Sequence, residues 1–221
     1  MKYSKSTTGN DEGIAWKSYC EIAGGRVTLN GELFFESDCV SGLQTNLSSA
    51  DGQNYAPDEN LCRAHDFFSA VYERIGVDYR KFYKMDALSK LGFLASELLL
   101  KDTDRETPKE DMGVALINRS SSLEADSRYQ KTISDKNSFF PSPSEFVYTL
   151  PNIVTGEIAI RNKIYGETAF YVVEDFQQEM LNEAIENMVY FAGMKRVLAG
   201  WTEIDAFTGD YNAFMVLYEA Q

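Results

Sequence analysis

The sequence predicts a single α/β domain, a mixed sheet covered by helices on both faces. Three observations predict it. Short β-rich runs open the chain around Gly24-Gly25 and Asn30-Gly31. A continuous apolar run, Met112 to Ile117, reads as a strand buried on both faces, and helix-like and strand-like segments alternate from there on. The chain has 221 residues, 44% hydrophobic and 13% aromatic, which suffices for one sizeable core and not for two independent ones. A charged fraction of 25% excludes a disordered or fibrous chain.

The opening elements are SYCEIAGG, RVTLNG and ELFFES, read as three short strands separated by Gly24-Gly25 and by Asn30-Gly31, the latter a hairpin signal. Residues 1–18 are expected to form a flexible tail and residues 19–221 the single domain. Residues 41–60 carry many turn formers and few apolar anchors, so a mobile loop is expected there. Phe67, Val71 and Ile75 lie on one helical stripe. After Gly76 a second helix has Met85, Leu88, Gly92, Ala95 and Leu99 on one face and Leu91, Leu94 and Leu98 on the next, a surface wide enough to be buried on most sides. Residues 118–136 read as a long polar, mobile insertion. Pro151 marks a turn before a helix running to about Arg161. Ala169 to Val173 reads as a strand, apolar on both faces as in a sheet interior. Gln177 to Phe191 is expected to be a helix with Met180, Ala184, Met188 and Phe191 on one stripe, and two strands close the chain.

Charge and composition limit the function classes. With 34 acidic against 21 basic residues the net charge is -13, which repels phosphate backbones and anionic lipid, so no nucleic acid and no membrane partner is expected. No run approaches the roughly 20 apolar residues of a spanning helix, and MKYSKSTTGNDEGIAW lacks the apolar core of a secretory signal, so a cytoplasmic location is expected. Cys20, Cys39 and Cys62 are an odd number without framework spacing and fit a reduced compartment.

Read in order, YKMDALSKLGFLASELLL, MGVALINRSSS, SPSEFVYTLPNIVTGEIAIRNKIYGET and RVLAGWTEID resemble the N-terminal half of a β-ketoacyl-acyl-carrier-protein synthase of the thiolase-like superfamily. Pro151-Asn152 before a helix, and the Ala-Gly-x-x-Glu strand end at Ala199 to Glu203, carry the match, which covers about residues 80–221. The resemblance implies a thiolase-like half-fold. It also implies a nucleophilic cysteine delivered by a strand to a helix N-terminus, where the dipole favours thiolate. In that family the cysteine lies nine residues after a glycine and 28 before the motif glutamate. Counted from Gly166 and from Glu203, both spacings arrive at Asp175, flanked by Glu174 and Phe176. All three cysteines lie far upstream, and the family's C-terminal half, with its decarboxylating residues, is expected to be missing. The only histidine, His65, falls outside every matching motif.

The resemblance therefore implies a catalytically deficient ketosynthase-like protein of fatty acid, polyketide or aryl-polyene-type biosynthesis, acting as an assembly or chain-length-factor-like subunit. Its expected partners are a second copy or a related ketosynthase subunit, and an acyl carrier protein. The strand residues Thr168, Phe170, Tyr171, Val172 and Val173 would form the dimer interface, since in the family this strand pairs antiparallel across the dimer axis. The half-fold would otherwise expose an apolar helix face needing cover. The basic group Arg74, Arg80, Lys81 and Lys84 is a candidate carrier-protein dock, or simply a set of solvated charges.

Two other classes stay open: a divergent acyl-thioester hydrolase or transferase using Asp175 and Glu174 as a paired-carboxylate site, and a purely structural interaction module. Against the acid-base reading stands an ordinary helix N-cap at Asp175. Cys62-x-x-His65, with Cys39 or Asp66, lacks a second ligand pair for zinc, and Ser120 to Ser122 lack a nucleophile elbow and read as a solvated loop. Gly24-Gly25 is a turn, not a phosphate cradle. No cofactor or metal is expected.

Overall fold

The structure is a computed structural model and describes residues 14–37, 57–137 and 139–220. Among these, seven strands form one sheet: β1 (Ser18–Ala23), β2 (Arg26–Leu29), β3 (Glu32–Glu36), β4 (Met112–Asn118), β5 (Thr168–Val172), β6 (Arg196–Ile204) and β7 (Tyr211–Glu219), in the order β3-β2-β1-β7-β6-β4-β5. β4 runs parallel to both its neighbours, β5 and β6, and the remaining pairs are antiparallel. The hairpin between β2 and β3 turns on Asn30 and Gly31, both at positive φ, and the Asn30 side chain accepts from the Tyr19 amide at 2.9 Å.

Helices cover both faces, as the pattern predicts. On one face lie α1 (Pro57–Ile75), α2 (Ala87–Leu99) and α5 (Ile153–Asn162); on the other lies α6 (Gln178–Tyr190). Alternation along the strands divides the core: Val114, Leu116 and Leu198 face α2 and α5, whereas Ala115, Ile117, Val197, Ala199 and Trp201 face α6. Every residue of α2 is buried, and Asp86 caps it by accepting from the Ser89 amide at 3.0 Å. Gly92 lets α2 and α5 approach, since a Cβ there would stand 2.6 Å from Val154.

Several expectations need correction. Ile14 and Trp16 pack against the α6-side core and β1 begins at Ser18, so residues 14–18 belong to the fold and not to a loose tail. Residues 1–13 and 38–56, including most of the expected 41–60 loop and Cys39, lie outside the described residues, while Pro57 to Asn60 are the first turn of α1. The polar insertion after β4 contains α3 (Leu123–Ser134), which packs on the short α4 (Pro143–Val147). It folds because Ala125 and Glu124 turn inward and Arg128 reaches back to Glu124.

β5 is not interior: it pairs with β4 alone and forms the sheet edge. The expected apolar outer face is also absent from α6. Leu181, Ala184, Ile185 and Met188 point at the sheet, and the exposed side carries Glu179, Glu183, Glu186 and Asn187, with only Tyr190 and Phe191 apolar and wet at its end.

One buried charge ties α2 to its neighbours. Glu97, 0% exposed, receives Arg161 of α5 through two hydrogen bonds of 3.0 and 3.3 Å and Arg105 at 2.9 Å. Removing the carboxylate would strand two partly buried guanidinium groups, so Glu97→Ala should cost about 3–5 kcal/mol. Urea unfolding measures this, and a loss below about 1 kcal/mol would contradict the role given to the cluster.

Candidate functional site

The chemistry expected from the sequence falls where β4, β5 and β6 end. β4 runs out at Asn118, whose side chain accepts from the Ser121 amide and donates to the Ser121 carbonyl, at 2.9 and 2.8 Å. Ser121 takes a positive φ of 54°, the kind of local bond that holds a side-chain-bearing residue there. Glu203, at the end of β6, is buried and accepts from the Arg119 and Ser120 amides at 2.8 and 3.2 Å. This gives the Ala-Gly-x-x-Glu segment its physical meaning. Gly200 lets β6 lie against β7, since a Cβ there would meet the Phe214 carbonyl at 2.5 Å, and Glu203 caps the exit of β4. Ser120 to Ser122 are thus tied into the structure, not a solvated loop, and Ser122 donates to the Thr149 carbonyl at 2.8 Å.

β5 ends in a bend at Glu174 and Asp175, and both carboxylates are exposed. Asp175 is not the helix cap: the N-cap of α6 is Gln177, with no side-chain capping bond. Phe176 folds inward, its ring 5.9 Å from those of Trp201 and Phe214. His65 is on α1, in the opposite helical layer from α6, and does not reach the bend at Asp175.

The four basic residues read together in the sequence are separated by their contacts. Lys81 is held by the buried Glu157 at 2.8 Å, and Arg74 stacks over the Phe34 ring at 5.8 Å. Arg80 is exposed, and Lys84 lines a cleft of about 600 Å³ together with His65, Lys90, Arg128, Glu145 and Tyr148. No pattern in the sequence marked this cleft. Its one signal was Lys90, a lysine inside the apolar run of α2.

In the cleft the Lys90 ammonium donates to His65 Nδ1 at 3.1 Å. Burial, then the charges of Lys90 and Arg128, push the imidazole down to about 4, so it stays neutral and accepts. Burial also lowers Lys90 from its ordinary value, with Arg128 adding to the effect while Asp86 and Glu124 oppose it. Arg128 in turn lies 3.7 Å from Glu124 and 3.9 Å from Glu145. Lys90 and Arg128 thus stand against Asp86, Glu124 and Glu145, charges that answer one another within the cleft. Among the described residues no group of three or more histidine, cysteine or acidic side chains could hold a metal ion, and no helix is long and apolar enough to cross a membrane. Cys62 is exposed and Cys39 lies outside the described residues.

No protein-family model and no curated protein sequence matches this chain. Solved structures do match. A ketosynthase in complex with its chain length factor from Xenorhabdus doucetiae superposes with a TM-score of 0.55 and 15% identity over 96% of this chain and 80% of that one. The ishigamide ketosynthase/chain length factor superposes with a TM-score of 0.63 and 15% identity over 94% of this chain and 62% of that one, so the chain spans less than two thirds of that neighbour. The fold is ketosynthase-like. In this ketosynthase-like sheet β5 and the bend carrying Asp175 lead into α6, which agrees with the strand-then-helix order expected from the sequence.

The cleft generates a pH prediction. Between pH 6.5 and about 4 the unfolded chain takes up a proton on His65 that the folded chain refuses, so stability falls as pH drops through that window. Allowing for a partly solvated ring, this amounts to about 1–2 kcal/mol. Urea unfolding at pH 7 and pH 4.5 should show the wild type losing that much more stability than His65→Gln; equal losses would contradict the assignment.

Proposed function

We propose that this chain is a non-condensing, ketosynthase-like subunit of acyl or polyketide chain assembly, acting beside an active ketosynthase as an assembly or chain-length-factor-like partner. The observation that carries the reading is the fold likeness to one chain of a ketosynthase–chain length factor complex, 80% of which is matched. In that complex a chain with little more than this fold takes part in such an assembly.

The chemistry of the bend supports a non-condensing role. By the family's spacing Asp175 stands at the nucleophile position, and a carboxylate there cannot form the thioester link that a cysteine thiolate forms. Glu174 is exposed beside it, Phe176 is turned into the core, and the only histidine is engaged by Lys90 elsewhere. The basic residues Arg80 and Lys84, with Arg74 nearby in sequence, are left as the dock for an acidic carrier protein, with Lys81 committed to Glu157.

The partner subunit would be met by the β5 edge, through Thr168, Phe170, Tyr171, Val172 and Val173. The sheet has two edges. β3 carries Glu32 and Glu36, charges that discourage strand addition, whereas Thr168 to Val172 carry none. Val172 is 53% exposed and Tyr171 is also wet, while Phe170 and Val173 are partly buried against the two cores. Covering Tyr171 and Val172 would contribute about 2–3 kcal/mol per subunit before ordering costs.

Two measurements test the proposal. Intact-mass analysis after incubation with acyl-carrier-protein thioesters should show no covalent adduct, and an adduct lost in Asp175→Asn would mean that thioester chemistry survives. Size-exclusion light scattering with ketosynthase subunits from the same genome should show a complex that Val172→Asp weakens at least tenfold and Glu32→Lys, on β3 at the opposite edge of the sheet, leaves unchanged. A complex indifferent to Val172→Asp would sink the β5 interface.

A further inference from the structure

The residues that bracket β5 oppose pairing with an identical strand, and we infer that this edge takes a different polypeptide, one whose strand is flanked by basic residues. The inference rests on the reading of β5 as the assembly edge. Glu167 immediately precedes the strand, and Glu174 and Asp175 follow it; all three are exposed, and among the described residues none takes part in an ion pair. The strand between them is uncharged. The edge is therefore an apolar strip with acidic ends.

Symmetry turns those ends against a second copy. Antiparallel pairing about a two-fold axis perpendicular to the sheet keeps each residue on its own face, so the axis falls beside one residue and not between two. With the axis at Phe170, the middle of β5, Glu167 of one copy faces Val173 of the other, and the bend carrying Glu174 and Asp175 follows directly beside that contact. A shift of the axis to Tyr171 brings Glu167 level with the bend at Asp175, since both lie four residues from Tyr171. Glu174 adds a third carboxylate beside each contact, and the axis repeats the whole arrangement at the other end.

Like charges opposite one another across strands destabilise the pair, and each copy also brings a net charge of -13. Two cations on the flanking segments are already engaged: Lys163, four residues before Glu167, is tied to Glu106 at 2.8 Å, and Arg119, next to Asn118 of β4, leans toward Asp205 at 3.6 Å. A partner strand with lysine or arginine at the flanks meets the same edge with opposite charges at both ends, so the carboxylates that repel a copy would steer and hold it.

Sedimentation velocity at about 0.05 M salt, where charges act over more than 10 Å, tests this with three samples: the wild type, the double variant Glu167→Lys with Asp175→Lys, and their equimolar mixture. Each protein alone should be monomeric, and the mixture should dimerise at least tenfold more tightly than either. Carrying Val172→Asp in both chains should abolish the dimer. A wild type that dimerises as tightly as the mixture overturns the inference, and does so while upholding the edge if Val172→Asp still dissociates it. A mixture that stays monomeric also overturns it, because charge is then not what keeps copies apart. Failure of the edge reading itself is seen separately, as a ketosynthase complex insensitive to Val172→Asp.

Discussion

Helix α2 has no wet face. All of its residues are buried between the sheet, α1 and α5, so each polar side chain on it must find a partner inside the protein. Ser89 is bonded by the Asp86 cap, Ser96 donates to the Phe93 carbonyl, Lys90 meets His65, and Glu97 takes both Arg161 and Arg105. The bonds of Lys90 and Glu97 join three separate segments, α1, α5 and the loop carrying Arg105, to one helix. They fix how α1 and α5 stand on the sheet, and α5 in turn leads through Gly166 to β5. Gly166 has no tolerance for a side chain, because a Cβ would lie 2.2 Å from the Met112 carbonyl. The position of the sheet edge follows from this buried frame.

Much of that frame was legible locally. The Asn30-Gly31 hairpin, the unbroken apolar run of β4 and the wide apolar surface of α2 each carry their own signal over a few residues. α3 was not legible, because LEADSRYQKTIS has almost no apolar stripe and its helix depends on Ala125, Glu124 and Arg128 finding neighbours in the folded protein. The cleft was equally hidden: His65 and Lys90 are 25 residues apart and become partners only when α1 packs on α2. TAFYV reads as an interior strand because its composition is that of one. Only the strand order shows that it is an edge, and nothing local states strand order.

The α6 face shows a different kind of gap. Glu179, Glu183 and Glu186 recur at four and three residues, a helical spacing that sets them together on the outer side of α6. Those carboxylates make the outer side of the helix compatible with water, where a stacked second half would require an apolar surface. With the α6 face acidic and β3 guarded by glutamates, the uncharged β5 edge is the surface left for strand addition. On the proposed reading, this ketosynthase-like fold would join its partner edge to edge.

The most direct test is amide hydrogen exchange across β5, without and with a ketosynthase partner. Val114 bonds the Glu167 carbonyl and Val173 bonds the Asn118 carbonyl, so by alternation the amides of Phe170 and Val172 point away from β4 toward the open edge. In the isolated chain these two amides should exchange quickly while those of β4 are protected. On binding they should slow by at least tenfold, with α6 unchanged. A complex that forms while Phe170 and Val172 exchange as before, or that protects the outer face of α6 instead, would contradict the account.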